Sequence, residues 1–188
     1  ASGRIRIDQP AGPSEVIVIA DESASPEFVA SDMLSQAEHG EDSPAILLTT
    51  NRKLAEATSR EIEKGLSERP ARREMKETSI RKHSYAIVFE TMEEAFRFSN
   101  EYAPEHLEIC TVDPQKDLKN VSAAGSVFLG HYAPVALGDY YSGTNHVLPT
   151  GGTGRMYSGL GVETYMKRIT YQHPTRESLR EAWKPIQI

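Results

Sequence analysis

Short blocks of aliphatic residues alternate along this chain with longer blocks in which apolar side chains recur every three or four positions. "EVIVIA" (15–20), "AILLTT" (45–50), "YAIVFE" (85–90), "HLEIC" (106–110) and "GSVFLG" (125–130) have the length and β-branched content of strands. Between them, "SPEFVASDMLSQAEH" (25–39), "NRKLAEATSREIEKGLSE" (51–68) and "TMEEAFRFSNEYA" (91–103) carry helical spacing. Phe28, Val29, Met33, Leu34 and Ala37 line the first of these helices, and Met92, Ala95, Phe96 and Ser99 one side of the third. Pro26 after Ser25 suits a first turn, Asn51 a helix cap, and Thr91 with Glu94 a capping box. "RPARREMKETSIRKHS" (69–84) is charged with little periodicity, so it reads as a helix end and connection with a solvated basic face. Alternating strands and helices predict an α/β fold, with an open, largely parallel sheet flanked by helices. Such sheets bind ligands beyond the carboxyl ends of their strands, which directs attention to the joints between elements.

From Gly130 the pattern breaks. "GHYAPVALGDYYSGTNHVLPTGGTGRMYSGLG" is rich in glycine and tyrosine, too irregular for a long helix and too aromatic for a flexible linker. Long structured loops of this kind are often functional. "VETYMKRITYQHPTRESLREAW" then predicts a short helix, an extended piece and a closing helix from Pro174. The expected layout is one α/β domain over 1–188, with a sheet–helix core (1–130), a loop region (131–161) and a C-terminal helical extension (162–188).

Composition narrows the class only a little. The 188 residues are 38% apolar and 26% charged with a net charge of −6, which suits a soluble protein and argues against a general nucleic-acid binder. Cys110 is the single cysteine, so neither an intrachain disulfide nor a Cys-rich zinc module is possible, and a reducing compartment is expected. No apolar run approaches the ~20 residues of a membrane span, and "ASGRIRIDQPAG" lacks the apolar centre of a signal peptide. Position 1 is Ala rather than Met, which suggests a processed or truncated chain.

Four stretches could carry chemistry. In "SQAEHG", Gln36 and His39 lie three apart and share a helical face, a spacing that can chelate a metal. The plainer alternative has His39 closing the helix against its dipole before Gly40. In "YAPEHLEI", Glu105 and His106 could supply a base and an acid, or form a solvated corner. Neighbours in an extended segment point to opposite faces, so the two would converge only if the chain turns at Pro104. In "LGDYYSGTNH", Asp139 is either a turn residue or an anionic ligand that joins His39 around a divalent ion. Asn145 and His146 follow without an obvious partner. Ser14 in "AGPSE" is either architectural or presents a hydroxyl to a ligand. "GGTGR" (151–155) departs from a phosphate-cradling loop, because it neither follows a strand nor matches GxGxxG.

In order and spacing, "DQPAGPSEV", "LSQAEHG", "YAPEHLEI", "AGSVFLG", "LGDYYSGTNHVLPTGG" and "SGLGVETYMKR" resemble the central part of the histidinol dehydrogenase family, from about Asp8 to about Thr170. The resemblance implies a Rossmann-like core and two successive NAD-dependent oxidations, from L-histidinol through L-histidinaldehyde to L-histidine, in the cytoplasm. It implies that Gln36, His39 and Asp139 ligate Zn2+. Glu105 would activate water for the second oxidation, with His106 as its acid/base neighbour. Ser14, Gln36, His39, His106 and Asp139 would touch the substrate.

Members of the family are considerably longer than this chain. The resemblance places their NAD contacts mainly in a preceding region, and no cofactor-binding residue is expected here. It places a Glu and the fourth zinc ligand, a His, in a tail that reaches across from the partner subunit of a homodimer. The chain is therefore expected to be a piece of such an enzyme, inactive by itself, with neither nucleic acid nor membrane as partner. A short non-catalytic homologue that keeps a small-ligand or metal pocket is the alternative. The intact "PEHLE" weighs against it, since a binder has no need of a water-activating Glu. An unrelated metal-dependent hydrolase built on Gln36, His39, Asp139 and Glu105 is weakened by the lack of an HExxH.

Overall fold

The structure is a computed structural model and describes residues 9–68 and 71–186. Asp8, where the resemblance begins, residues 69–70 of the charged stretch and 187–188 of the C-terminal extension lie outside the described residues. Five strands form one sheet: β1 (Val16–Ala20), β2 (Ala45–Thr49), β3 (Tyr85–Val88), β4 (His106–Cys110) and β5 (Ser126–Leu129). They are arranged β3-β2-β1-β4-β5, and every pairing is parallel. The helices are α1 (Pro26–Ala37), α2 (Arg52–Glu68), α3 (Arg73–His83), α4 (Met92–Tyr102), α5 (Pro114–Asp117), α6 (Val135–Tyr140) and α7 (Arg176–Ile186). The expected α/β class with an open parallel sheet holds.

The three central strands β2, β1 and β4 are buried on both faces, as their near-continuous aliphatic runs require, while the edge strand β3 is largely exposed. Val16, Val18, Ala20, Ala45, Leu47 and Phe128 pack with Val29, Met33, Leu34, Leu54 and Ile62 of α1 and α2. Ile17, Ile19, Ile46, Leu48, Leu107 and Ile109 pack on the other side with Ala95 and Phe96 of α4. Register places His106, Glu108 and Cys110 opposite Val16, Val18 and Ala20, so these three side chains of β4 face α1. Two polar groups thus project from a central strand into the larger core.

The caps read from the sequence are met unevenly. Thr91 Oγ1 accepts the Glu94 N–H at 3.3 Å while Glu94 Oε2 accepts the Thr91 N–H at 3.3 Å, closing the capping box. Asn51 Oδ1 accepts the N–H groups of Lys53 and Leu54. Ser25 occupies the N-cap of α1 without a side-chain bond.

One expectation is overturned: the charged stretch before β3 holds a full helix, α3, rather than a helix end and connection. Its stability comes from long-range contact instead of an apolar stripe. Ser79 is buried and its hydroxyl donates to the Ser43 carbonyl at 2.6 Å, and Ile80 packs on the core. Arg81 bridges Glu77 and Glu63 on the solvent side. After β5 the chain makes α6 and two 3-10 turns, Thr153–Arg155 and Val162–Tyr165, before an extended run leads to α7. Among the described residues no helix is long and apolar enough to cross a membrane.

Candidate functional site

The polar cluster lies at the amino-terminal edge of the sheet, where β1 and β4 begin side by side. This departs from the expectation that chemistry sits beyond the carboxyl ends. It agrees with the search of joints after helices, because α1 and α4 both end at this edge. Helix α4 terminates at Ala103 in the left-handed region (φ +56°, ψ +63°), which turns the chain through Pro104 and directs Glu105 inward. Gly125 permits β5 to approach that joint. A Cβ on Gly125 would lie 2.6 Å from the Glu105 carbonyl oxygen, closer than any side chain tolerates.

Glu105 and His106 are not a solvated corner: they are 6% and 4% exposed. Glu105 Oε2 accepts the Ser14 hydroxyl at 2.5 Å and the Glu15 N–H at 3.2 Å, and lies 3.4 Å from His106 Nδ1. Ser14 Oγ in turn accepts the Gln36 Nε2–H at 2.7 Å. His106 Nδ1 is also 3.1 Å from the backbone carbonyl of Glu15. A nitrogen flanked by a carbonyl and a carboxylate oxygen faces two acceptors, so Nδ1 carries the proton. Nε2 is then the basic nitrogen of the neutral ring. The Phe128 ring, 6.0 Å from the imidazole, walls this side.

Ser14, Gln36, Glu105 and His106, drawn from three separate stretches, therefore form one connected and largely buried group. The solvated alternative for Glu105–His106 falls, and the Ser14 hydroxyl is held between Glu105 and Gln36. His39 and Asp139 are not joined to the group. Among the described residues no hydrogen bond or ion pair ties either side chain to it, and no set of three or more His, Cys, Asp and Glu side chains is placed to hold a metal. His39 is exposed just beyond α1, its N–H donating to the Gln36 carbonyl at 3.1 Å. Asp139, half-buried on α6, follows Gly138, where a Cβ would stand 2.5 Å from the Phe128 ring. Gly138 thus lies against the aromatic wall of the His106 pocket. His146 is exposed, and Asn145 is spent on a local bond to the Val147 N–H.

Sequence reasoning missed Glu15. It is 3% exposed, and burial pushes its carboxyl up to about 7. The Gly151 N–H opposes that shift and the neighbouring Glu105 charge adds to it. Tyr102, the last residue of α4, is pushed up to about 12 by its own burial and then by the Glu15 charge. A Glu placed directly before an unbroken aliphatic strand was the available signal, since such a residue needs a partner from elsewhere in the chain.

The family model for histidinol dehydrogenase matches residues 1–188. The chain belongs to the histidinol dehydrogenase family. It is 57% identical over 186 residues to the histidinol dehydrogenase of Leptospira interrogans serogroup Icterohaemorrhagiae serovar Lai, an alignment covering 99% of this chain and 44% of that protein. Identity to the enzyme of Methanocaldococcus jannaschii is 50%, over 95% of this chain and 41% of that one. The crystal structure of histidinol dehydrogenase from Elizabethkingia anophelis superposes with a TM-score of 0.92 at 44% identity, covering 97% of this chain and 42% of the other. The chain spans less than half the length of these histidinol dehydrogenases.

Proposed function

We propose that this chain is the substrate- and zinc-binding part of a histidinol dehydrogenase, which oxidises L-histidinol through L-histidinaldehyde to L-histidine with two NAD. The observation that carries the reading is the convergence of Ser14, Gln36, Glu105 and His106 at one edge of the sheet. The second oxidation requires water to add to an aldehyde, and a buried carboxylate held by a hydroxyl and facing an imidazole is suited to take that proton. With Nδ1 protonated, His106 can receive a proton at Nε2 and return it.

Gln36, His39 and Asp139 are the residues that would hold zinc. The donor types fit: the Gln36 amide nitrogen is committed to Ser14, which leaves its carbonyl oxygen available as a ligand, with the His39 imidazole and the Asp139 carboxylate as the other two donors. Zinc bound there would orient the imidazole and amine of histidinol towards the reacting carbon. NAD does not fit the crevice between β1 and β4 at their carboxyl ends. The segment after β1, "DESAS", carries two carboxylates and no glycine, the opposite of a pyrophosphate cradle. Its contacts and the remaining zinc ligand belong to the parts of the homodimer beyond this stretch, and the isolated chain is inactive.

Calorimetric titration with zinc, with and without L-histidinol, tests the assignment. L-histidinol should strengthen zinc binding, and His39→Ala should abolish it. Glu105→Gln should leave zinc affinity within about threefold, since its partner is water rather than metal. Loss of zinc in that variant would overturn the division of roles.

A further inference from the structure

Glu15 is bound to the Glu105–His106 joint by both backbone and side chain. Its N–H donates to Glu105 Oε2 at 3.2 Å, and its carbonyl accepts the His106 N–H at 3.2 Å. Its side chain points back to the same place: Oε1 accepts the Glu105 N–H at 3.3 Å and the Gly151 N–H at 2.8 Å. The second of these bonds spans 136 residues and reaches the "GGTGR" turn. That turn is shaped for close approach. Gly151 and Gly152 have φ of +60° and +77°, and a Cβ on Gly152 would stand 3.3 Å from the Tyr102 carbonyl oxygen. A Cβ on Gly154 would stand 3.3 Å from the Ala103 carbonyl oxygen and 3.2 Å from the backbone of Ala124. The glycines therefore lie over residues 102–105, the joint that aims Glu105 inward.

We infer that Glu15 is a positioning residue whose carboxyl clamps the Gly151–Gly152 turn over the Glu105–His106 joint and so fixes how both side chains meet the pocket. The consequence for chemistry rests on the reading of Glu105 and His106 given above, whereas the clamp itself does not. The groups facing Glu15 are Glu105 and His106 at the start of β4 and Tyr102 at the end of α4, with backbone N–H groups from the turn. Burial disfavours the ionised carboxyl and the Glu105 charge beside it adds to this, against the opposing Gly151 N–H, so the clamp holds a proton near neutrality. Opening the turn lets water reach Glu15 and restores its ordinary acidity. By linkage, the closed form is most favoured below about 4.5 and loosens as pH rises from there to about 7, where Glu15 ionises in the closed form too.

Amide hydrogen exchange on the chain as it stands tests this, with Val18 and Leu47 in the sheet as internal references. In Glu15→Ala the amides of Gly151 and Glu105 should exchange at least ~10-fold faster while the references stay unchanged. Glu15→Gln keeps the acceptor oxygen without the charge, so it should restore protection to within about threefold. In the wild type, protection of Gly151 after correction for intrinsic rates should fall by up to roughly tenfold per pH unit between about 5 and 7 and level off above that, and Glu15→Gln should be flat. The His106 Nδ1–H resonance should be visible in wild type and Glu15→Gln and broaden in Glu15→Ala, a change that loosening elsewhere would not produce. Unchanged Gly151 protection in Glu15→Ala, or a pH dependence retained in Glu15→Gln, overturns the clamp. Should Glu15→Ala fail to fold, the comparison of wild type with Glu15→Gln decides alone. No ligand enters these measurements, so the clamp can fail while the zinc and histidinol assignment stands, and the reverse.

Discussion

The two edges of the same parallel sheet have opposite chemistry. At the amino edge, Ser14, Glu15, Gln36, Glu105 and His106 answer one another across gaps of 22 to 91 residues in sequence. At the carboxyl edge, where open α/β sheets usually bind ligands, the polar groups seal the crevice. Asp21 accepts the Val112 N–H at 2.9 Å and both the N–H and the hydroxyl of Ser23, and Ser23 Oγ lies 3.3 Å from His131 Nε2. Beneath them Glu108 is buried with neither carboxyl oxygen hydrogen-bonded, facing Asp32 of α1 and a cavity of about 10 Å³. Burial pushes Asp32 up to about 6, and burial with the Asp32 charge pushes Glu108 well up. A buried carboxyl with partners is a tool, and one without partners is a cost. The difference teaches that the sheet supplies a frame with two ends, and that side chains decide the chemistry of each.

The largest expected effect tests both edges through pH. Glu15 and Asp32 titrate higher in the folded chain than their ordinary values of 4.5 and 3.8. The folded state therefore binds more protons, and the stability this contributes is complete below about 4 and lost as pH rises through 6 to 7. Urea unfolding should show a fall of about 2–3 kcal/mol between pH 5 and 8. Glu15→Gln should remove the part that belongs to the amino edge, and Glu108→Leu should reduce the part that belongs to the interior. A flat profile in the wild type would break the comparison.

Replacing the orphan acid is the next largest change. Glu108→Leu should raise stability at pH 8 by about 2 kcal/mol, because an apolar side chain there leaves nothing unsatisfied. A loss instead would mean that the carboxyl edge is also wired. Smallest is Ser14→Ala, which removes one donor to Glu105 and one acceptor for Gln36. It should cost about 1 kcal/mol in the same urea experiment, and a null result would mean that the Ser14 bonds form no net support for Glu105.

The strands, α2, α4 and the capping box were legible because each depends on neighbours a few residues away. Aliphatic runs specify buried strands, and Thr91 meets Glu94 within one turn. Helix α3 was not legible, since Ser79 and Ile80 gain their contacts from Ser43 and the core rather than from a stripe of their own. In the site, residue identity was readable and arrangement was not. The motifs marked Gln36, Glu105, His106 and Ser14, while the weight given to carboxyl-end loops pointed to the edge opposite the one where these residues gather. Glu15 passed unremarked, and the "GGTGR" turn was weighed only against a phosphate-binding loop, because the two meet across 136 residues of sequence.

Local sequence thus determined the strands, every long helix but α3, their order and the family, through interactions that act over one turn or one strand. Only the tertiary structure decided that Glu105 is buried rather than solvated, that Ser14 faces it, and that His106 carries its proton on Nδ1. The physical reason is distance. Hydrogen-bond direction and desolvation depend on which backbone comes within about 3 Å, and that is settled by packing between segments the sequence keeps far apart.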